Sequence, residues 1–178
     1  MIIFRAIDLT VRRGMAAALC AVATLASPVV AEGMGIASQD EILAGIRSCT
    51  NGVGPAGLDE AHLIADGWSK GSMSSKDGKP VENGLIVYGK GHLMVLTSNA
   101  GLGQMQLCNF VAKIASVQAF PKLQAAMAST YGVPFKDNGK GDQYYRASNS
   151  HLINLVFTGS SDRPSVRVAV GYVSQESK

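Results

Sequence analysis

Ser165-Val166-Arg167-Val168-Ala169-Val170-Gly171-Tyr172-Val173 sets valine against charged and small residues at every second position. That period belongs to a β-strand with one face on a core. Working back from it, His151 to Phe157 and Gln143 to Ala147 read as two further strands separated by a polar turn. A helix precedes them: it begins at Pro121, a favoured first-turn position, buries Leu123, Ala126, Met127 and Thr130, and stops at Gly132. Ahead of that helix, Leu85 to Tyr88, His92 to Thr97 and Met105 to Val111 read as strands, punctuated by Gly89-Lys90-Gly91 and Asn99-Ala100-Gly101.

Two helices open the folded region. Ser38 and Glu41 have capping-box spacing, and Ile42, Leu43, Ile46 and Cys49 repeat along one face, which predicts a helix over 39–48. After the turn 51–55, a second helical pattern places Leu58, Ala61, Ile64, Ala65 and Trp68 on one side. The polar stretch 69–83 reads as a loop around a short strand. The class that results is α+β, with helices packed on an antiparallel sheet. The order helix, Lys-Asp loop, three strands occurs twice, which admits two similar αβββ halves. His92-Leu93 then aligns with His151-Leu152, Met94 with Ile153, and Cys108 and Phe110 with Val168 and Val170. That alignment makes Met94 a core residue and points Cys108 inward.

Residues 1–31 carry Arg5, Arg12 and Arg13 ahead of an apolar run from Met15 to Ala26, ending in small residues before Glu32. This is the pattern of a secretory signal peptide, and its apolar run is too short for a membrane span. Gly14-Met15 after the arginine pair favours the general export route over twin-arginine export, and Cys20 leaves with the leader. Cleavage after Ala31 leaves a single domain, 32–178, of 147 residues with no transmembrane anchor. Its location is periplasmic or secreted. Its 13 basic and 12 acidic residues give a net charge of +1, so there is no electrostatic footprint for nucleic acid. Cys49 and Cys108 remain in a compartment that favours disulfides. Neither lies in a Cys-x-x-Cys or near a histidine, so they are expected to pair.

Candidate chemistry is sparse. Gly52-x-Gly54-x-x-Gly57 matches a dinucleotide fingerprint in letters, yet a helix stands where the fingerprint needs a strand, and Pro55 removes a backbone donor. There is no Gly-x-Ser-x-Gly and no His-Glu-x-x-His; His151 with Asp142 or Asp162 leaves only the bare material of a hydrolase. His62 is followed after ten residues by Met73, then after eighteen by His92-x-Met94. Imidazole and thioether ligands suit Cu(I). Over this stretch the chain resembles the His/Met motif of periplasmic copper chaperones with a cupredoxin-like fold. The resemblance implies Cu(I) held by His62, Met73, His92 and Met94 on a β-sandwich. The helix expected around His62 and the shorter His92-x-Met94 spacing depart from that family, and no metal or other cofactor is the expectation.

Tyr144, Tyr145 and Arg146 form the candidate binding surface, because strand alternation turns one tyrosine outward when the other is buried, and Tyr and Arg are enriched at interfaces. The expected function is therefore a non-enzymatic binding module of the cell envelope, with a protein or envelope component as partner. The alternatives are a periplasmic Cu(I)-binding protein and an unrecognised hydrolase.

Overall fold

Ser38 begins helix α1 (Gln39–Gly52) through a complete capping box: its Oγ accepts the Glu41 N–H at 3.2 Å, and Glu41 Oε2 accepts the Ser38 N–H at 2.8 Å. Two amides at the open helix end are thereby satisfied. The structure is a computed structural model. It describes residues 34–72, 77, 85–98, 107–139 and 141–174. The export signal read over 1–31, together with Met73, Met105 and the Asn99-Ala100-Gly101 break, lies outside the described residues.

A two-strand hairpin, β1 (Val53–Gly54) and β2 (Gly57–Leu58), follows α1 and leads into α2 (Glu60–Ala65). Then come β3 (Ser69–Gly71), β4 (Leu85–Lys90), β5 (Leu93–Ser98) and β6 (Leu107–Lys113). Helix α3 (Ala119–Tyr131) separates these from β7 (Lys136–Asp137), β8 (Asp142–Ser148), β9 (His151–Ser160) and β10 (Arg163–Tyr172). Apart from the hairpin, all strands join one antiparallel sheet in the order β3-β4-β5-β6-β10-β9-β8-β7. The two longest meanders thus meet along β6 and β10, with Phe110 opposite Val168 and Cys108 opposite Val170.

All three helices pack on the same face of this sheet. Leu93, Val95, Phe110, Val168, Ile153 and Leu155 line that face at 4% exposure or less, and Ile42, Ile46, Leu63, Leu123 and Met127 close over them. Contact is close: a Cβ on Gly45 would stand 2.6 Å from Leu93 Cδ1 and 3.2 Å from Phe110 Cζ, so a larger residue there would require the Leu93 side chain to shift. Cys49 and Cys108 are fully buried and bonded, joining α1 to β6 across 59 positions with a Cα separation of 5.5 Å. The inward-pointing Cys108 and the disulfide are as the sequence predicts.

Three expectations need correction. The α2 pattern put Ala61, Ile64, Ala65 and Trp68 on a buried stripe, but the helix ends at Ala65, and Leu63 is its buried residue while Ile64 is 47% exposed. Gly67, at φ 87°, turns the chain out of the helix and delivers Trp68 to the core from outside it. Helix α3 starts earlier than Pro121, adds the buried Phe120, and leaves Thr130 exposed with its hydroxyl donating to Ala126 O. Met94 is not a core residue: Leu93 and Val95 on either side point to the helices, so Met94 points to the opposite face. A slip of one residue in the strand alignment exchanges the two faces.

Candidate partner-binding face

A sheet covered on one side only has a second face to account for. Outward positions alternate with the core residues along every long strand, and those of β5, β6, β9 and β10 include Met94, Val111, Leu152 and Val156, all half-buried. Among the described residues no helix lies across them. Leaving such aliphatic area in contact with water forfeits roughly 25 cal/mol for each Å² that a partner would cover. On this face the half-buried aliphatics alternate with Asn109, Asn154 and Arg167, the mixed apolar and polar composition of a recognition surface.

At the β7–β8 end of this face the sequence-selected residues divide as alternation requires. Tyr145 is fully buried on the helix side and donates its hydroxyl to Gln143 Oε1 at 2.5 Å; burial pushes its pKa up. Gln143 Nε2 in turn donates to Asp137 Oδ2 at 2.7 Å, and the Gly139 N–H donates to Asp137 Oδ1 at 2.7 Å. These bonds, the one from Gln143 foremost, hold the Asp137 carboxyl below its ordinary range. They also fix the short turn that carries Phe135 and Lys136. Of the three residues expected at the surface, Tyr144 and Arg146 remain there.

Tyr144 and Arg146 are joined by two residues that the sequence did not single out. Phe135 is 54% exposed, its ring centroid 6.3 Å from that of Tyr144, and the Arg146 guanidinium lies 5.7 Å over the Phe135 ring. Lys136 Nζ lies 5.3 Å from the centroid of Tyr144. Two aromatic rings and two cations interleave in a patch whose backbone is anchored from beneath. Such packed cation–aromatic contacts contribute about 0.5–1 kcal/mol each at exposed sites. A Phe in a turn next to a two-residue edge strand carries no periodicity that would have marked it.

The copper-motif residues are distributed differently. His62 sits in α2 among the helices, its ring 3.3 Å from where a Cβ of Gly52 would stand. His92 Nδ1 lies 3.0 Å from Glu41 Oε1, tying the β4–β5 turn to the α1 capping box. Met94 is on the far side of the sheet from both, and Met73 is outside the described residues. Among the described residues no three His, Cys, Asp or Glu side chains gather as a metal site.

His151 has both ring nitrogens engaged. Nε2 lies 2.9 Å from Val53 O, so it carries the proton, and Nδ1 then accepts from Ser148 Oγ at 2.9 Å. The Ser148 hydroxyl also receives the Ser150 N–H at 3.2 Å, which closes the β8–β9 turn and clamps it to β1. A second network, buried at Trp68 and Ser48 and open to solvent at Asp66 and Lys90, holds the helices: Trp68 Nε1 donates to Ser48 Oγ at 2.6 Å, Ser48 donates to the Asp66 carboxylate, and Lys90 reaches Asp66 O and Oδ2. The Ser48 hydroxyl and the Lys90 ammonium lower the Asp66 pKa.

No helix among the described residues is long and apolar enough to cross a membrane. Comparison of the chain with protein-family models, with curated proteins and with solved structures finds no match.

Proposed function

We propose that residues 32–178 form one exported, non-enzymatic binding domain of the cell envelope that engages its partner through the helix-free face of the sheet, anchored at Tyr144 and Arg146. The carrying observation is that, among the described residues, helices cover an eight-stranded sheet on one side only: the partner would occupy the face that the described helices leave open. The interleaved Phe135, Lys136, Tyr144 and Arg146 supply the aromatic and guanidinium anchors on which interface energy concentrates. A buried disulfide agrees with an oxidising compartment.

We further read the domain as two related halves. Asn109 lies opposite Ala169, sixty positions away, and pairing runs crosswise about them: Cys108 to Val170, Phe110 to Val168. A two-fold axis at that pair requires this register if Cys108 corresponds to Val168 and Phe110 to Val170. The strand order, which mirrors itself outward from β6 and β10, supports the same reading.

The test is site-directed photocrosslinking in the producing cell. A benzophenone amino acid at Tyr144 or Leu152 should give discrete adducts that disappear with Arg146→Glu, whereas one at Asp40 on α1 should give none. Adducts from Asp40 alone, or none from the open face, would reject the reading. Sequencing of the mature N-terminus should give Glu32. A hydrolase keeps one geometric support, the Ser148–His151 pair oriented by Val53 O. Labelling of Ser148 by a fluorophosphonate, abolished in Ser148→Ala, would bring that alternative forward.

A further inference from the structure

The centre of the open face is a trough along β10. Gly171 stands between Leu107 and Leu152, Ala169 between Asn109 and Asn154, and Arg167 between Val111 and Val156. The strands on either side of β10 therefore present the same ladder, Leu, Asn, Val, at the same levels. Gly171 is buried and Ala169, with only a methyl, is half-buried, so the ladders form walls two strand spacings apart, about 10 Å, and the trough is open from Ala169 to Arg167, about 7 Å. One extended polypeptide segment fits such a space. Asn154 Nδ2 gives one hydrogen to Gln143 O at 3.4 Å; the Asn109 amide and Asn154 Oδ1 can donate to and accept from the segment's backbone, and the Leu and Val rungs offer apolar contact above and below.

Charge selects among such segments. The exposed charged side chains described on this face are Lys113, Lys136, Arg146, Arg163 and Arg167; its carboxylate, Asp142, is engaged by Asn138 Nδ2 at 2.6 Å. The helical layer has the opposite bias, with Asp40, Glu41, Asp59, Glu60 and Asp66. Arg167 closes one end of the trough with a guanidinium flanked by two valines, a site suited to a carboxylate. The rungs Leu107, Leu152, Val111 and Val156 are interrupted by Asn109, Asn154 and Arg167, so the face lacks the continuous apolar surface that a bilayer interior needs, whereas a segment with alternating side chains matches it. A second copy would bring a face of the same positive bias against this one.

We propose that the trough along β10 binds an acidic polypeptide segment in extended conformation, with Asn109 and Asn154 reading its backbone and Arg167 taking a carboxylate. The proposal rests on the open face being the partner surface and specifies what that partner presents. The test uses the intact mature protein and three labelled ten-residue peptides in which valine alternates with glutamate, lysine or threonine, with anionic phosphatidylglycerol vesicles as a fourth probe. Binding is read by fluorescence anisotropy and by amide shifts in the NMR spectrum.

The glutamate peptide should bind at least tenfold more tightly than the other two, weaken with salt, and shift Asn109, Asn154, Arg167 and Ala169. Arg167→Gln should cost it at least tenfold while leaving the threonine peptide unchanged, and the variant's native spectrum establishes its fold. Equal binding of glutamate and threonine peptides on this face would overturn the acidic specificity and leave the partner face standing. Vesicles that bind this face and displace the glutamate peptide would overturn a polypeptide partner. If no probe shifts the face, both the trough and the partner-face reading fall.

Discussion

The two faces of the sheet are made by the same strands yet have different fates. On β9, Ile153 and Leu155 are fully buried under helices while Leu152 and Val156, one position away, keep part of their surface in water. The helix side adds a disulfide and a hydroxyl–indole–carboxylate network buried at Ser48 and Trp68. The open side carries cations, facing asparagines and an aromatic cluster at one end. The difference teaches that alternate residues of one set of strands can be assigned separate tasks, the core to one face and, on the proposed reading, recognition to the other. Substitutions on the first face should therefore register as unfolding, and those on the second as loss of binding.

The largest effect expected is on the covered face. Removing the disulfide by Cys49→Ala with Cys108→Ala should cost about 4 kcal/mol on the chain-entropy account of a 59-residue separation, measured as a lower urea midpoint. An unchanged midpoint would mean that α1 is held by packing alone. The sharpest comparison comes next: Leu155→Ala should lose about 3 kcal/mol, but Leu152→Ala, on the same strand, less than about 1 kcal/mol. Equal losses would erase the distinction between the faces.

Ser48→Ala should cost about 1–3 kcal/mol because the Trp68 N–H and the Asp66 carboxylate lose their shared partner. The same site predicts the direction of the acid response. The Asp66 pKa is lowered in the fold from its ordinary 3.8, so its contribution is present above that value and is lost as pH falls through the lower, folded value. Stability followed below pH 4 should decline less steeply in Asp66→Asn than in the parent; an identical profile would remove Asp66 from the account. The smallest effect on stability, within about 0.5 kcal/mol, is expected for Tyr144→Ala, the residue whose loss should matter most to a partner. A large fall in its melting temperature would assign the Phe135–Tyr144 cluster to folding.

Much of the covered face was legible. Ser38 and Glu41 announced α1, valines at 166, 168 and 170 announced a core strand, and Cys49 and Cys108, the cysteines beyond residue 31, announced their bond. Trp68 was misplaced because a left-handed glycine breaks the helical period in which it was counted. The candidate surface was half legible: Tyr144 and Arg146 follow from alternation, while Phe135 and the facing Asn109 and Asn154 do not.

By itself the sequence determined the α+β class, six of the strands, the helices and the disulfide, because period, capping and turn chemistry act between near neighbours. Only the tertiary structure decided which sheet face the helices cover. His151 to Phe157 is apolar almost throughout, so its residues could serve a core on either side. The choice is made where α1, α2 and α3 settle on Phe110, Val168 and Leu155. The same settling aligns Asn109 with Asn154 across Ala169, from strands more than forty positions apart, through a register that no local pattern specifies.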